Sequence, residues 1–155
     1  MARVSWQSVA IGIAVGALWI ATDPSNGLPS DLGHWISSLP IWLAATWLLV
    51  RALGSVVVVP IAEELAFRGF LARVLISKGR FESVGLREFR PLAFSVSSVT
   101  FGLMHERWLA AFLAEAVYAL LMYRTTGLSD PIAAHSASNA VILCWAVTAQ
   151  QWSLL

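Results

Sequence analysis

An all-helical, polytopic bundle embedded in a bilayer is the fold class that the sequence predicts, and three observations predict it. Hydrophobic residues make up 58% of the 155-residue chain and charged residues only 12%, about half the ~25% charge of a soluble domain. The mean hydropathy is +0.73. Apolar runs recur at close to the roughly 20 residues that a membrane helix needs, so the length holds about five to six short hydrophobic helices. The expectation is one membrane domain over residues 1–155. Charge this sparse excludes a disordered chain, and a formal net charge of +1 gives no field able to recruit nucleic acid. The single cysteine, Cys144, excludes an intrachain disulfide framework and a cysteine-rich zinc site.

The first run, residues 4–21, follows one base, Arg3. Cleavage after Ala21 would put Trp19 where a signal peptidase wants a small residue, so the run reads as a retained helix. Residues 22–39 collect Asp23, Pro24, Asn26, Gly27, Pro29 and Gly33 without a lysine or arginine, and read as a loop. The second run, 40–60, is interrupted by Arg51 and leads into residues 61–76, which carry Glu63, Glu64, Arg68 and Arg73. Arg73, Lys78, Arg80, Arg87 and Arg90 make the next stretch basic. Further runs cover 91–104, 108–123 and 132–150. Most of the eight tryptophans stand at run ends, the depth of the water–lipid boundary.

The positive-inside rule puts Arg3 and the 73–90 stretch in the cytosol and the base-free 22–39 segment outside. Two crossings already return the chain to the cytosol at Pro60. A third crossing by residues 61–76 would carry the most basic loop to the wrong face. The expectation is therefore a tilted or re-entrant glutamate-bearing helix with both ends near the cytosolic side.

An ionisable group at membrane depth costs at least ~2.5 kcal/mol, so each needs a partner, a wet cavity or a function. The set is Arg51, Glu63, Glu64, Arg68, His105, Glu115 and His135, with Asn139 as a neutral companion. At ~100° per residue Glu64 and Arg68 share a helix face, whereas Glu63 points elsewhere. Arg68 can neutralise Glu64 and leave Glu63 unpaired, as a water-activating base must be. In a soluble protein this trio would be a solvated helix face; the apolar surroundings reverse that reading. His105 stands one turn from Phe101, and taken alone is a boundary histidine, as is His34. His135 and Asn139 stand one turn apart among Ala133, Ala134, Ser136, Ala137 and Ser138, which equally fits polar contact between close-packed helices. Arg51 and Glu115 are expected to neutralise charge, either against each other or with Arg51 beside the two glutamates.

As a set, Glu63-Glu64-x-x-x-Arg68, Phe101-x-x-x-His105 and His135-x-x-x-Asn139 resemble, in order and spacing, the three motifs of the CAAX protease and bacteriocin-processing family of intramembrane endopeptidases. The resemblance covers residues 40–150, the expected CAAX protease-like core. Residues 49–75 look most like the CAAX protease-related proteins that accompany bacterial exosortase systems. Members usually have more membrane helices than this chain holds. The resemblance implies a bacterial inner-membrane protein with a polar site open to the cytosol. It also implies an endopeptidase that cuts near the C-terminus of a membrane-attached protein or peptide, prenylated or bearing a sorting signal.

The resemblance favours a metal-free scheme without a cofactor. In it Glu63 is the general base, His105 orients the same water, His135 and Asn139 donate to the oxyanion, and Glu64 with Arg68 holds the helix in register. A zinc reading stays open beside it: Glu63, His105 and His135 make a two-histidine, one-carboxylate set with room for water. Two non-enzyme classes stay open as well. One is a membrane scaffold or bacteriocin-immunity-type protein that binds a peptide without cutting. The other is a small proton-coupled transporter, against which the lack of paired broken helices argues. The expected partners are membrane lipid and a membrane-attached substrate.

Overall fold

The computed structural model describes residues 4–24, 30–125 and 127–155, which fold into six helices with no strand among them. Arg3, on which the orientation partly rests, and Asn26, Gly27 and Pro29 of the expected loop lie outside the described residues. The helices are α1 (Trp6–Ala21), α2 (Asp31–Ser38), α3 (Ile41–Ile76), α4 (Pro91–Leu103), α5 (Trp108–Arg124) and α6 (Ser129–Thr148). Single 3-10 turns lie at Phe81–Ser83 and Trp152–Leu154.

Two expectations are corrected. Part of the expected loop is α2: Asp31 places a carboxylate at the helix N-terminus, where the dipole favours it. Ile36 is buried and Trp35 packs edge-on against Trp47 at 5.9 Å, so tertiary contact holds a segment that turn-forming neighbours disguise.

The second correction concerns Pro60, where no break occurs: the second run and the glutamate-bearing run are one continuous helix of 36 residues. The reason lies one turn earlier. Gly54–Val58 is a π-helical turn, and the Val59 N–H reaches the Gly54 carbonyl. In that wider register the next carbonyl, Ser55, faces residue 60, and proline has no N–H to give. Asn139 on α6 supplies the donor, its Nδ2 lying 2.8 Å from the Ser55 oxygen. A neighbouring helix thus satisfies the group that the proline orphans, and α3 runs on.

At 1.5 Å per residue α3 is about 54 Å long, against a hydrocarbon core of about 30 Å. Because the two runs are one helix, a single crossing would serve both, and the parity conflict that called for a re-entrant segment does not arise. Among the described residues α3 alone is both long and apolar enough to cross a bilayer; α1 and α4 are apolar but shorter.

α1 and α6 run side by side in the same direction. A Cβ on Gly12 would overlap the Ala134 carbonyl, and one on Gly16 would lie 2.7 Å from the Ser138 oxygen. The Gly-x-x-x-Gly spacing lets the two backbones touch. Their N-terminal ends are pinned together by Asp130, whose Oδ1 accepts from the Ser5 N–H and from the Ser5 and Ser8 hydroxyls. The α4–α5 turn is tied to the far end of α1 by Arg107. Its guanidinium sits 4.5 Å over the Trp19 ring and donates to the Trp19 carbonyl and the Thr22 hydroxyl at 2.9 and 2.7 Å. One end of the bundle therefore gathers the basic stretch, Arg124 and Asp130. The other gathers α2, Arg107 and the Trp152–Leu154 turn, which Gly33 approaches closely.

Candidate active site

α3 delivers two adjacent carboxylates to opposite surroundings. Glu64 is 0% exposed, while the Glu63 side chain is 27% exposed. One turn after Glu64, Arg68 sets Nη1 2.7 Å from Glu64 Oε1 and Nη2 2.5 Å from Glu115 Oε2. Nη2 also lies 2.9 Å from the Glu115 carbonyl oxygen, and the guanidinium stands 5.8 Å from the Tyr118 ring centre. The i, i+4 pair that the spacing predicts is thus present. The partner expected for Glu115 is not: Glu115 pairs with Arg68, because Arg51 sits near the other end of α3. There it donates to the main-chain oxygen of Leu155.

Glu64 has a second task. Its Oε1 lies 3.1 Å from His135 Nδ1, and a carboxylate accepts only, so Nδ1 carries a proton and the tautomer is set. His135 Nε2 then faces Glu63, 3.6 Å from Oε2. The ring is stacked on Tyr118 at 4.9 Å and lies edge-on to Phe101 at 6.4 Å. The Tyr118 hydroxyl shares a 2.6 Å hydrogen bond with the Ser138 hydroxyl, which fixes the platform.

His105 stands just beyond the end of α4 and stacks on Phe101 with ring centres 4.5 Å apart. Its Nδ1 lies 2.8 Å from the Phe101 carbonyl and donates to it, leaving Nε2 as an acceptor. Phe101 itself is held edge-on by Phe67 at 5.0 Å. Asn139 commits one amide N–H to Ser55, as described above, and retains one more.

Glu63, His105, His135 and Asn139 line a single cavity of about 560 Å³, together with Arg51 and Tyr118. Glu64, Arg68 and Glu115 lie outside its lining, behind the wall that Glu63 and His135 form. The arrangement presents one carboxylate and an imidazole acceptor to a common space, which suits removal of a proton from water. Among the described residues no three His, Cys, Asp or Glu side chains cluster closely enough to hold a metal ion.

Three contributors escaped the sequence reading: Tyr118 as the platform for His135, Ser55 as the acceptor for Asn139, and Glu115 as the second partner of Arg68. The signal for two of them was present. Glu115 and Tyr118 stand three residues apart on an apolar helix, the spacing of side chains on one face.

Residues 44–141, more than half of the chain, match the family described as Rce1-like, type II CAAX prenyl endopeptidase. Neither the curated proteins nor the solved structures provide a match. The chain belongs to the Rce1-like family of type II CAAX prenyl endopeptidases, which are integral membrane proteases.

Proposed function

We propose that the protein is an intramembrane endopeptidase that cleaves near the C-terminus of a membrane-attached protein or peptide, prenylated or bearing a sorting signal. The observation that carries this reading is the cavity on which Glu63, His105 and His135 converge while Glu64 is held away by Arg68. Glu63 takes a proton from a water that His105 Nε2 helps to hold, and the resulting hydroxide attacks the scissile carbonyl. As charge develops on the carbonyl oxygen, Asn139 donates its second N–H. His135, held by Glu64 at Nδ1, turns Nε2 toward the space that Glu63 faces. Glu63 then returns the proton to the leaving amine. A scheme without metal is preferred, in line with the resemblance of the three motifs. Full activity after exhaustive chelation supports it, and loss of activity that zinc restores contradicts it.

The test of the reading is mass spectrometry of membrane-attached peptides, prenylated or carrying a sorting signal, incubated with the wild-type protein and with Glu63→Gln. A new C-terminal fragment formed by the wild type alone supports proteolysis. Peptide binding by both proteins with no fragment from either supports a scaffold or immunity protein instead.

Orientation in a bacterial inner membrane follows from charge. The 73–90 stretch and Arg124 belong at the cytosolic face by the positive-inside rule. The family resemblance implied a site open to the cytosol. The cavity residues favour the opposite mouth: Trp19, Trp47, Arg51 and Leu155 all belong to the end of the bundle away from the basic stretch. In a Cys144→Ser background, labelling of Lys78→Cys and Ser37→Cys from opposite sides supports this orientation, and labelling from one side contradicts it.

A further inference from the structure

His105 stands on a turn rather than on a helix. It belongs to residues 104–107, which join α4 to α5, and its ring is held by the carbonyl and the ring of Phe101. Where the imidazole stands relative to Glu63 therefore depends on where the turn and the Phe101 ring are set against the rest of the cavity. On one side the turn is closed by Gly102: a Cβ there would lie 2.7 Å from the Trp108 carbonyl oxygen, so α4 and α5 meet backbone to backbone. That contact fixes the two helices to each other and leaves open their place against α1, whose Val15 and Trp19 line the same cavity.

Arg107 makes the missing connection. Its Nη1 donates to the Trp19 carbonyl, in the last turn of α1, where the helix itself runs out of N–H donors and its dipole favours a cation. Nη2 donates to the Thr22 hydroxyl, and Asp23 Oδ1 lies 4.0 Å from Nη1. The guanidinium also sits over the Trp19 ring, and the same ring packs against the buried cluster of Phe67, Phe101 and Ala111. Arg107 thus bears on Phe101 through Trp19, and on His105 through the short stretch of main chain between them.

We propose that Arg107 is a positioning residue for proton transfer: by clamping the 104–107 turn and the Trp19 ring to the end of α1, it sets the place of His105 in the cavity. A guanidinium suits the task because its rigid fork meets two acceptors at once while its face lies on an aromatic ring. His135 is held independently, by Glu64 at Nδ1 and by the Tyr118 ring. Loss of Arg107 accordingly displaces one imidazole and spares the other. This inference rests on the protease reading and deepens it, since the step it serves is the one to which that reading assigns His105.

The test uses Arg107→Met, which keeps an apolar stem and removes every donor, and has two readouts. In turnover of a membrane-attached peptide, kcat is expected to fall about 10²-fold, the cost of misplacing a reacting group by about 1 Å, with KM little changed. Arg107→Lys keeps the charge on Trp19 but cannot meet both acceptors, and recovers part of the loss. In a His105→Ala background Arg107→Met costs little further, because the group through which it acts is gone. A residue that served stability alone would lower the melting temperature and leave kcat per folded molecule as it was. That result, a rise in KM with kcat unchanged, or a fully additive loss in the His105→Ala background overturns the proposal.

The second readout needs no turnover. In the detergent-solubilised protein carrying isotope-labelled histidine, the nuclear magnetic resonance signal that His105→Ala removes is expected to shift in Arg107→Met, as the imidazole leaves the Phe101 ring, while the His135 signal stays. An unmoved His105 signal, or equal shifts of both, is the contrary result. Should Arg107→Met fail to fold, Arg107→Lys carries both readouts with smaller expected effects, and the absence of either effect in it overturns the proposal. A wild type that cleaves nothing would sink the protease reading, and the histidine signals would still decide whether Arg107 places His105.

Discussion

Glu63 and Glu64 are joined by one peptide bond, yet they occupy regions with opposite chemistry. On the Glu64 side, a guanidinium, two carboxylates and an imidazole edge are closed off from solvent, and each charge is matched by a contact at 2.5–3.1 Å. On the Glu63 side the nearest cationic candidate is His135 at 3.6 Å, and the carboxylate borders an open cavity. A charge in a dry place must be matched or it destabilises the fold, so the buried cluster is committed to structure. A carboxylate at the rim of a wet space is left free to exchange a proton. His135 joins the two regions, with one nitrogen on each glutamate.

This contrast can be broken from either side. The largest expected effect is on rate: His105→Ala is expected to lower kcat by about 10²- to 10⁴-fold, the usual worth of a positioned proton-transfer group. Its thermal unfolding should stay close to that of the wild type, because the partners of its side chain, the Phe101 carbonyl and the stacked Phe101 ring, both belong to its own segment. Kinetics and melting curves on the same preparation check both halves. Next comes the buried side, where Arg68→Met strands two carboxylates and is expected to cost about 3–5 kcal/mol of stability. Denaturant melts should register the loss, and adding Glu64→Gln and Glu115→Gln should recover part of it, since the charges that needed the guanidinium are then gone.

A smaller effect tests the joint between α3 and α6. Asn139→Ala leaves the Ser55 carbonyl without its donor, an expected cost of about 1–3 kcal/mol. Pro60→Ala supplies an N–H at the position that the wide turn addresses. The double variant should therefore lose less stability than the two single losses added together. Simple additivity in a double-mutant cycle would mean that Asn139 acts elsewhere.

Local spacing made much of the site legible. The one-turn interval from Glu64 to Arg68 predicted their pairing, and the ~100° offset per residue predicted that Glu63 would face another direction. The one-turn interval from Phe101 to His105 puts ring and imidazole on one helix face, and the structure shows them stacked. What escaped was set by groups far apart in sequence. Pro60 reads as a helix boundary because proline lacks a donor; only the amide of Asn139, 84 positions from its Ser55 partner, cancels that rule. α2 was hidden among turn-forming residues, since its stability comes from Ile36 and from Trp35 against Trp47. Glu115 could be recognised as a buried charge needing a partner, but spacing along one helix cannot choose between Arg51 and Arg68 on another. Gly12 and Gly16 carried a packing signal that predicts close contact without naming the partner helix.

The central claim, that two neighbouring carboxylates divide chemistry from structure, is tested most directly by comparing Glu63→Gln with Glu64→Gln in one experiment. Thermal unfolding and mass-spectrometric detection of the released C-terminal fragment are the two readouts. Glu63→Gln is predicted to melt with the wild type and release no fragment, and Glu64→Gln to melt well below both. A Glu63→Gln protein that still releases the fragment, or one that melts as low as Glu64→Gln, would contradict the account.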